Sequence, residues 1–197
     1  MRQETGSNLT IDNKKVSIQV KLGGLSFSTQ HFEVADDIEQ VEIVIDTPRV
    51  TLAPREYVSL NSATELLRLT GKPCRNNEQS VCSELQDATI AIMAIDSNAL
   101  AAIVEKWGSR ASFTSPLLDM RHSTERCLTV DVTDKVCYLR LFDNGLKRAE
   151  AFEATTPEDT LYFVSEWIEE MDTPIYIKGK QNAIKLLRKY YKRVICE

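Results

Sequence analysis

Residues 126–194, RCLTVDVTDKVCYLRLFDNGLKRAEAFEATTPEDTLYFVSEWIEEMDTPIYIKGKQNAIKLLRKYYKRV, decide the fold. Leu128, Val130 and Val132 alternate with Thr129 and Asp131, and after Thr133-Asp134-Lys135 the run Val136 to Phe142 keeps a strand period. Asp143-Asn144-Gly145 then closes a hairpin, because Asn and Gly tolerate the positive φ of a tight turn, and Leu146 to Phe152 returns antiparallel. Thr156-Pro157-Glu158-Asp159 supplies a hydroxyl cap, a proline at the first helical position and acids where the helix dipole favours them. Leu161, Val164, Ile168 and Met171 form the predicted buried stripe of that helix, and Thr173-Pro174 ends it. Ile175 to Ile177 makes a short strand, Gly179 turns the chain, and Ile184, Leu187, Tyr191 and Val194 mark a last helix. The order is β-β-β-α-β-α.

Working toward the N-terminus, Val16, Ile18, Val20 and Leu22 alternate with polar residues, Gly23-Gly24 turns, and Leu25 to Thr29 runs back as a second hairpin. Val41 to Ile45 and Val50 to Ala53 read as extended, and Ser62-Ala63-Thr64-Glu65 is a capping-box signature for a helix through Leu69. Lys72 to Gln79 is polar and aperiodic, which predicts an exposed loop. Val81 to Leu85 and Ala88 to Ile95 read as strands, the second apolar enough to be covered on both faces, and Asp96 caps a helix from Ser97 to Trp107 that Gly108 stops.

A chain of 197 residues with 43% hydrophobic and 27% charged residues can bury a core as one domain or two small lobes. Its net charge of -5 argues against DNA binding, which draws on a basic surplus. Cys74, Cys82, Cys127, Cys137 and Cys196 are odd in number and contain no C-x-x-C pair, so they are expected to be reduced and mostly buried, not metal ligands. Cys127 and Cys137 read as neighbours across a strand pair. The start lacks an apolar segment, and no run reaches the roughly 20 apolar residues of a membrane span, so a cytoplasmic location is expected.

Two halves that each open with a hairpin and then alternate strand with helix point to an α/β fold with mixed sheets and an internal duplication. The strand and helix of Ala88 to Trp107, the meander Leu128 to Phe152 and the segment Pro157 to Val194 give this order a resemblance to the actin-like superfamily of sugar kinases, heat-shock ATPases and actin. Within it the chain is similar to the branch containing the pilus-assembly protein PilM, and in particular to a group of uncharacterised bacterial proteins. The resemblance implies two ribonuclease-H-like lobes, residues 1–123 (with 1–14 flexible) and 124–197, facing each other across a nucleotide cleft. It also implies that two phosphate loops and an adenosine loop would bind ATP with magnesium. The matching positions are Gly23 and Gly24 in the first loop, Asp131, Thr133 and Asp134 in the second, and Gly179 in the third.

All three loops are degenerate. Lys21 stands where a carboxylate would precede Gly23, the second loop has no glycine and carries Lys135, and the third has one glycine beside a lysine. Losing the metal-positioning carboxylate in one lobe and the glycines in the other removes most of what phosphoryl transfer depends on. No catalytic residue and no metal site is therefore assigned, and the expected function is a non-catalytic scaffold or adaptor with no resident cofactor. PilM-like relatives imply a protein partner, a peptide of a membrane-associated component. The alternative is an ATP-binding switch or weak phosphotransferase.

Plainer readings stand beside these. Gly23-Gly24 reads as an ordinary hairpin turn, Asp131 as the exposed side of a strand, and Asp134-Lys135 as a solvated turn. His31 and His122, the only histidines, have no second histidine beside them, which argues against a hydrolytic or metal site built on either. From Glu158 to Asp172 the charged residues are all acidic, whereas Lys185, Arg188, Lys189, Lys192 and Arg193 make the last helix basic. Two solvated faces of opposite sign account for this contrast, and a basic face for a protein partner is the sharper reading.

Overall fold

The computed structural model describes residues 15–21, 39–59, 62–84 and 88–197. The predicted flexible stretch 1–14, the Gly23-Gly24 turn, the return strand Leu25 to Thr29 and His31 lie outside the described residues.

The C-terminal half follows its predicted order. Strands β7 (Arg126–Val132), β8 (Val136–Asp143) and β9 (Leu146–Glu153) form an antiparallel meander, followed by α3 (Pro157–Ser165), β10 (Ile175–Gly179), α4 (Gln181–Tyr190) and β11 (Val194–Cys196). Parallel pairing of β10 with β7 and of β11 with β10 gives one sheet in the order β11-β10-β7-β8-β9. Asn144 and Gly145 take φ of 49° and 118°, as their hairpin requires, and a register shift at Leu141/Phe142 precedes the turn. Thr156 and Asp159 cap α3 reciprocally.

This helix is shorter than its predicted stripe. Trp167 N–H closes on Val164 C=O three residues back, so the helix stops at Ser165; Ile168 stays buried and Met171 is 59% exposed. Val194 belongs to a strand and not to the last helix, because Tyr191 leaves the α conformation at φ -121°, ψ 138°. The acidic and basic stretches meet where Lys192 Nζ lies 3.1 Å from an exposed Asp172 carboxylate.

The N-terminal half divides over two sheets. Strand β1 (Lys15–Lys21) runs parallel to β2 (Gln40–Asp46), which is parallel to β6 (Ala111–Thr114). Strand β5 (Thr89–Asp96) is the middle of a separate antiparallel sheet, between β3 (Val50–Pro54) and β4 (Glu78–Cys82). Its apolar run is covered on both faces, as predicted: Ala91, Met93 and Ile95 face a central core, while Ile90, Ile92 and Ala94 pack with Leu67 of α1 (Ala63–Leu69). Helix α2 (Ser97–Trp107) begins where the Asp96 carboxylate accepts from the N–H groups of Asn98 and Ala99 at 2.9 and 3.1 Å. The predicted capping box on α1 does not form. The Ser62 hydroxyl is engaged by the preceding turn, accepting from Ser59 N–H at 2.8 Å, and Glu65 pairs with Arg68.

The C-terminal sheet is covered on both faces. Leu128, Val130, Leu139, Ile175 and Ile177 pack beneath Val164, Ile184 and Leu187 of α3 and α4. On its other face Val136, Tyr138 and Ala151 join Val41, Ile43, Ile45, Met93, Ile103 and Trp107 in one core drawn from both halves of the sequence. Each fully buried large aliphatic side chain there contributes about 1.5–3 kcal/mol.

Lys72 also joins the halves. Predicted to sit in an exposed loop, it is only 14% exposed, and its Nζ donates to the Ala151 carbonyl of β9 at 2.7 Å and to Pro48 at 3.2 Å. Burial lowers its pKa, against the opposing pull of Glu150. Replacing Lys72 with Met removes the donor and leaves two carbonyls without it. We expect a loss of about 1–3 kcal/mol in urea denaturation at pH 7, with the far-ultraviolet circular dichroism of the folded state unchanged.

Candidate functional site

The carboxyl ends of the parallel strands β7 and β10 carry residues to which the sequence directs attention, and the end of β2, from another sheet, meets them there; strand ends are where α/β sheets usually gather ligands. Asp46 closes β2 and is 3% exposed. Its Oδ1 accepts the Thr133 hydroxyl at 2.9 Å and the Tyr138 hydroxyl at 2.9 Å, while the Tyr138 oxygen accepts from Thr47 N–H at 2.8 Å. Burial, and then the Asp46 carboxylate, push the Tyr138 phenol well above its ordinary pKa, so it stays protonated and donates.

Asp131 is not a solvated strand residue. Its side chain is 15% exposed and its Oδ2 lies 2.7 Å from Nη2 of Arg140, one of the largest fully buried side chains. Arg140 also donates from Nε to the Thr129 hydroxyl at 2.8 Å and from Nη1 to the Pro116 carbonyl. A guanidinium thus holds the carboxylate that the loop pattern offers to a metal ion. Thr133 N–H donates to Val136 C=O at 2.9 Å, closing the β7–β8 turn on itself. Asp134 is exposed, and its carbonyl receives Lys180 Nζ at 2.6 Å, bringing the second and third predicted loops together.

Gly179 has a structural reason for being glycine. It pairs with Val132 across β10 and β7 at φ +120°, and a Cβ there would sit 2.0 Å from the Val132 carbonyl oxygen. The structure therefore joins Thr133 to Asp46, brings Asp134 and Gly179 near one another through Lys180 and Val132, sets Asp131 on the opposite side of β7 from Val132, and leaves Gly23 and Gly24 outside the described residues. The sequence reading missed Asp46. Its signal was an apolar strand, Val41 to Ile45, ending in Asp46-Thr47-Pro48, the pattern of a strand terminus that presents a carboxylate.

A second cluster, also missed, lies at the other end of β7. His122 Nδ1 is 2.9 Å from Glu125 Oε1, its Nε2 is 2.6 Å from Glu197 Oε1, and its ring stacks on Tyr176 at 3.9 Å between centroids. Desolvation is the largest single influence on His122 and lowers its pKa, but the hydrogen bonds and charges of Glu125 and Glu197 together outweigh it and raise the pKa. Cys127 shares this cluster, its thiol pushed up to about 11 by burial and by Glu125 and Glu197. Cys137 pairs with Val132 and Cys127 with Phe142, at opposite ends of the ladder, so the two thiols are not the neighbours predicted.

The structure is similar to that of a Bacteroides thetaiotaomicron VPI-5482 protein described as having an actin-like ATPase fold and unknown function. Identity is 21% and TM-score 0.67, over 81% of this chain and 69% of that one. This is an actin-like fold. Residues 29–194 match the model of the family described as "Protein of unknown function (DUF3822)", and the chain belongs to that family. Weaker likenesses are to the AlfA filament bound to AMPPNP (12% identity, TM-score 0.39, over 80% of this chain and 51% of that one) and to the cytoplasmic domain of EpsL, an inner-membrane component of the Vibrio cholerae type II secretion system (12%, 0.38, 73% and 63%). Neither carries an argument here. The comparison with curated proteins finds no match.

Two substitutions test the site's internal logic. Arg140→Leu strands the Asp131 carboxylate, and urea denaturation should report a loss of about 3 kcal/mol, part of which returns in Asp131→Leu/Arg140→Leu. Gly179→Ala forces an unfavoured backbone against Val132 and should cost at least about 1–3 kcal/mol by the same measurement.

Proposed function

We propose that this protein is a non-catalytic member of the actin-like fold that serves as a scaffold or adaptor for a protein partner. The observation that carries this reading is the state of the strand-end carboxylates. Asp131 is ion-paired to a buried arginine, and Asp46 is engaged by the hydroxyls of Thr133 and Tyr138. Phosphoryl transfer needs a carboxylate that can turn to a magnesium ion and backbone N–H groups that can approach phosphate. Here the cost of freeing Asp131 is the cost of leaving Arg140 unpaired in the interior.

The continuous core between the halves leaves little for a partner to enter there, so the reading favours the outer strands of the C-terminal sheet, β9 and β11, as the edges a peptide would join. A stacked, partly buried Phe152–Phe163 pair beside β9 offers apolar contact. Among the described residues no helix is long and apolar enough to cross a membrane. A cytoplasmic location is part of the proposal and is supported by five cysteines that remain free thiols.

Titration calorimetry with ATP and ADP in the presence of magnesium, with a thermal-shift series beside it, tests the central claim. We expect no saturable heat and no rise in Tm at millimolar nucleotide. Saturable binding with a raised Tm would replace the scaffold with a nucleotide-responsive switch.

A further inference from the structure

The cluster at the start of β7 combines residue types that an ion-pair network does not need together. A ring nitrogen of His122, a Glu125 carboxylate oxygen and Cys127 Sγ all lie within 4.8 Å of one another, and Nδ1 is the nitrogen on the Glu125 side, 2.9 Å from Oε1. A tetrahedral ion bound through nitrogen, oxygen and sulfur at ordinary bond lengths holds its ligand atoms about 3.3–3.8 Å apart. Closing the difference asks for a movement of about an ångström, and Glu125, 43% exposed and held through its contacts with His122 and Tyr176, is the ligand placed to make it. We propose that His122, Glu125 and Cys127 form a three-ligand site for a divalent transition-metal ion of the zinc class, with a fourth position open to water.

His122 and Glu125 already have the outer partners such a site requires. Glu197 Oε1 accepts from His122 Nε2 at 2.6 Å, which fixes the tautomer that presents Nδ1 to the ion. Tyr176 donates its hydroxyl to Glu125 Oε2 at 2.7 Å, leaving Oε1 as the coordinating oxygen, and its ring, 18° from parallel with the imidazole, sets the ring plane. Arg121 Nη2 holds the other oxygen of Glu197 at 3.0 Å. Cys127 is fully buried beneath the group, so its sulfur faces the ligands and not solvent. Without metal, each ring nitrogen of His122 is hydrogen-bonded to a carboxylate, Nδ1 to Glu125 and Nε2 to Glu197. With metal, the Nδ1 proton and the Cys127 thiol proton pass to solvent, and the ion takes the place of the hydrogen bond to Glu125. A thiolate and an imidazole select zinc or cobalt over magnesium or calcium, which take oxygen ligands. The site lies at the opposite end of β7 from Thr133 and stands or falls independently of the nucleotide question.

Cobalt(II) reports on it directly. Added to the reduced, tag-free full chain, Co²⁺ should give a thiolate-to-metal charge-transfer band in the near ultraviolet and visible d–d bands. Both should saturate at one ion per chain, be abolished by Zn²⁺ and persist in excess Mg²⁺. Cys127→Ser should remove the charge-transfer band. His122→Gln and Glu125→Gln, which leave the apolar core untouched, should each weaken binding at least tenfold, and Glu197→Gln should weaken it by about 10–100-fold through loss of the outer contact. Cys82→Ser and Cys196→Ser should leave the spectrum unchanged. No thiolate band at millimolar Co²⁺, a band that survives His122→Gln and Glu125→Gln, or one that vanishes with Cys196→Ser would each overturn the proposal. Should Cys127→Ser fail to fold, the His122 and Glu125 variants decide.

Discussion

The hydroxyl of Tyr138 is the interaction on which the rest of the structure turns. Strand β8 is buried along most of its length, so every polar atom it carries must find its partner inside the protein or stand as an uncompensated cost of several kcal/mol. Tyr138 meets this demand with Asp46 and Thr47, and Arg140 meets it with Asp131, Thr129 and Pro116. The Tyr138 contacts tie the end of β2 to the C-terminal sheet, beside the shared core of Ile43, Ile45, Met93 and Trp107. The strand-end carboxylates, which in an actin-like fold invite comparison with a nucleotide site, here satisfy a buried strand. The actin-like topology accommodates these buried strand-end contacts, and topology alone does not say what they do.

What could be read in the sequence was local. Asn144-Gly145, Thr156-Pro157, Asp96 and Gly108 act within a few residues of themselves, and each does in the structure what its chemistry dictates. The alternation of Leu128, Val130 and Val132 likewise placed one face of β7. Ser62 failed because its hydroxyl had a nearer claimant in the turn before it, and Val194 because a parallel strand pairing with β10 outweighed a helical spacing of apolar residues. Lys72 failed for a different reason. A lysine among polar residues reads as solvated, and nothing near it announces two carbonyls at positions 48 and 151.

The sites divide along the same line. Thr133, Asp134 and Gly179 could be singled out because a turn and a strand end are local features, whereas the burial of Asp131 could not be read, since its partner Arg140 lies on the next strand. Asp46 waited on contacts with Thr133 and Tyr138. In the second cluster the spacing of His122, Glu125 and Cys127 is legible in six consecutive residues, yet Tyr176 and Glu197, which orient the ring, arrive from β10 and from beyond β11.

The Tyr138–Asp46 contact spans 92 residues, and the core around it draws on Val41 at one extreme and Ala151 at the other. During synthesis the apolar side of β2 therefore emerges long before β8 and β9 exist to cover it. At ribosomal speeds of about 5–20 residues per second, that interval lasts on the order of ten seconds. Contacts of this sequence separation also close slowly once the chain is free. The nascent protein must pass this time with Val41, Ile43 and Ile45 held by transient local structure or by a chaperone, and the ribosome-bound stage is where an otherwise stable fold is most exposed to aggregation.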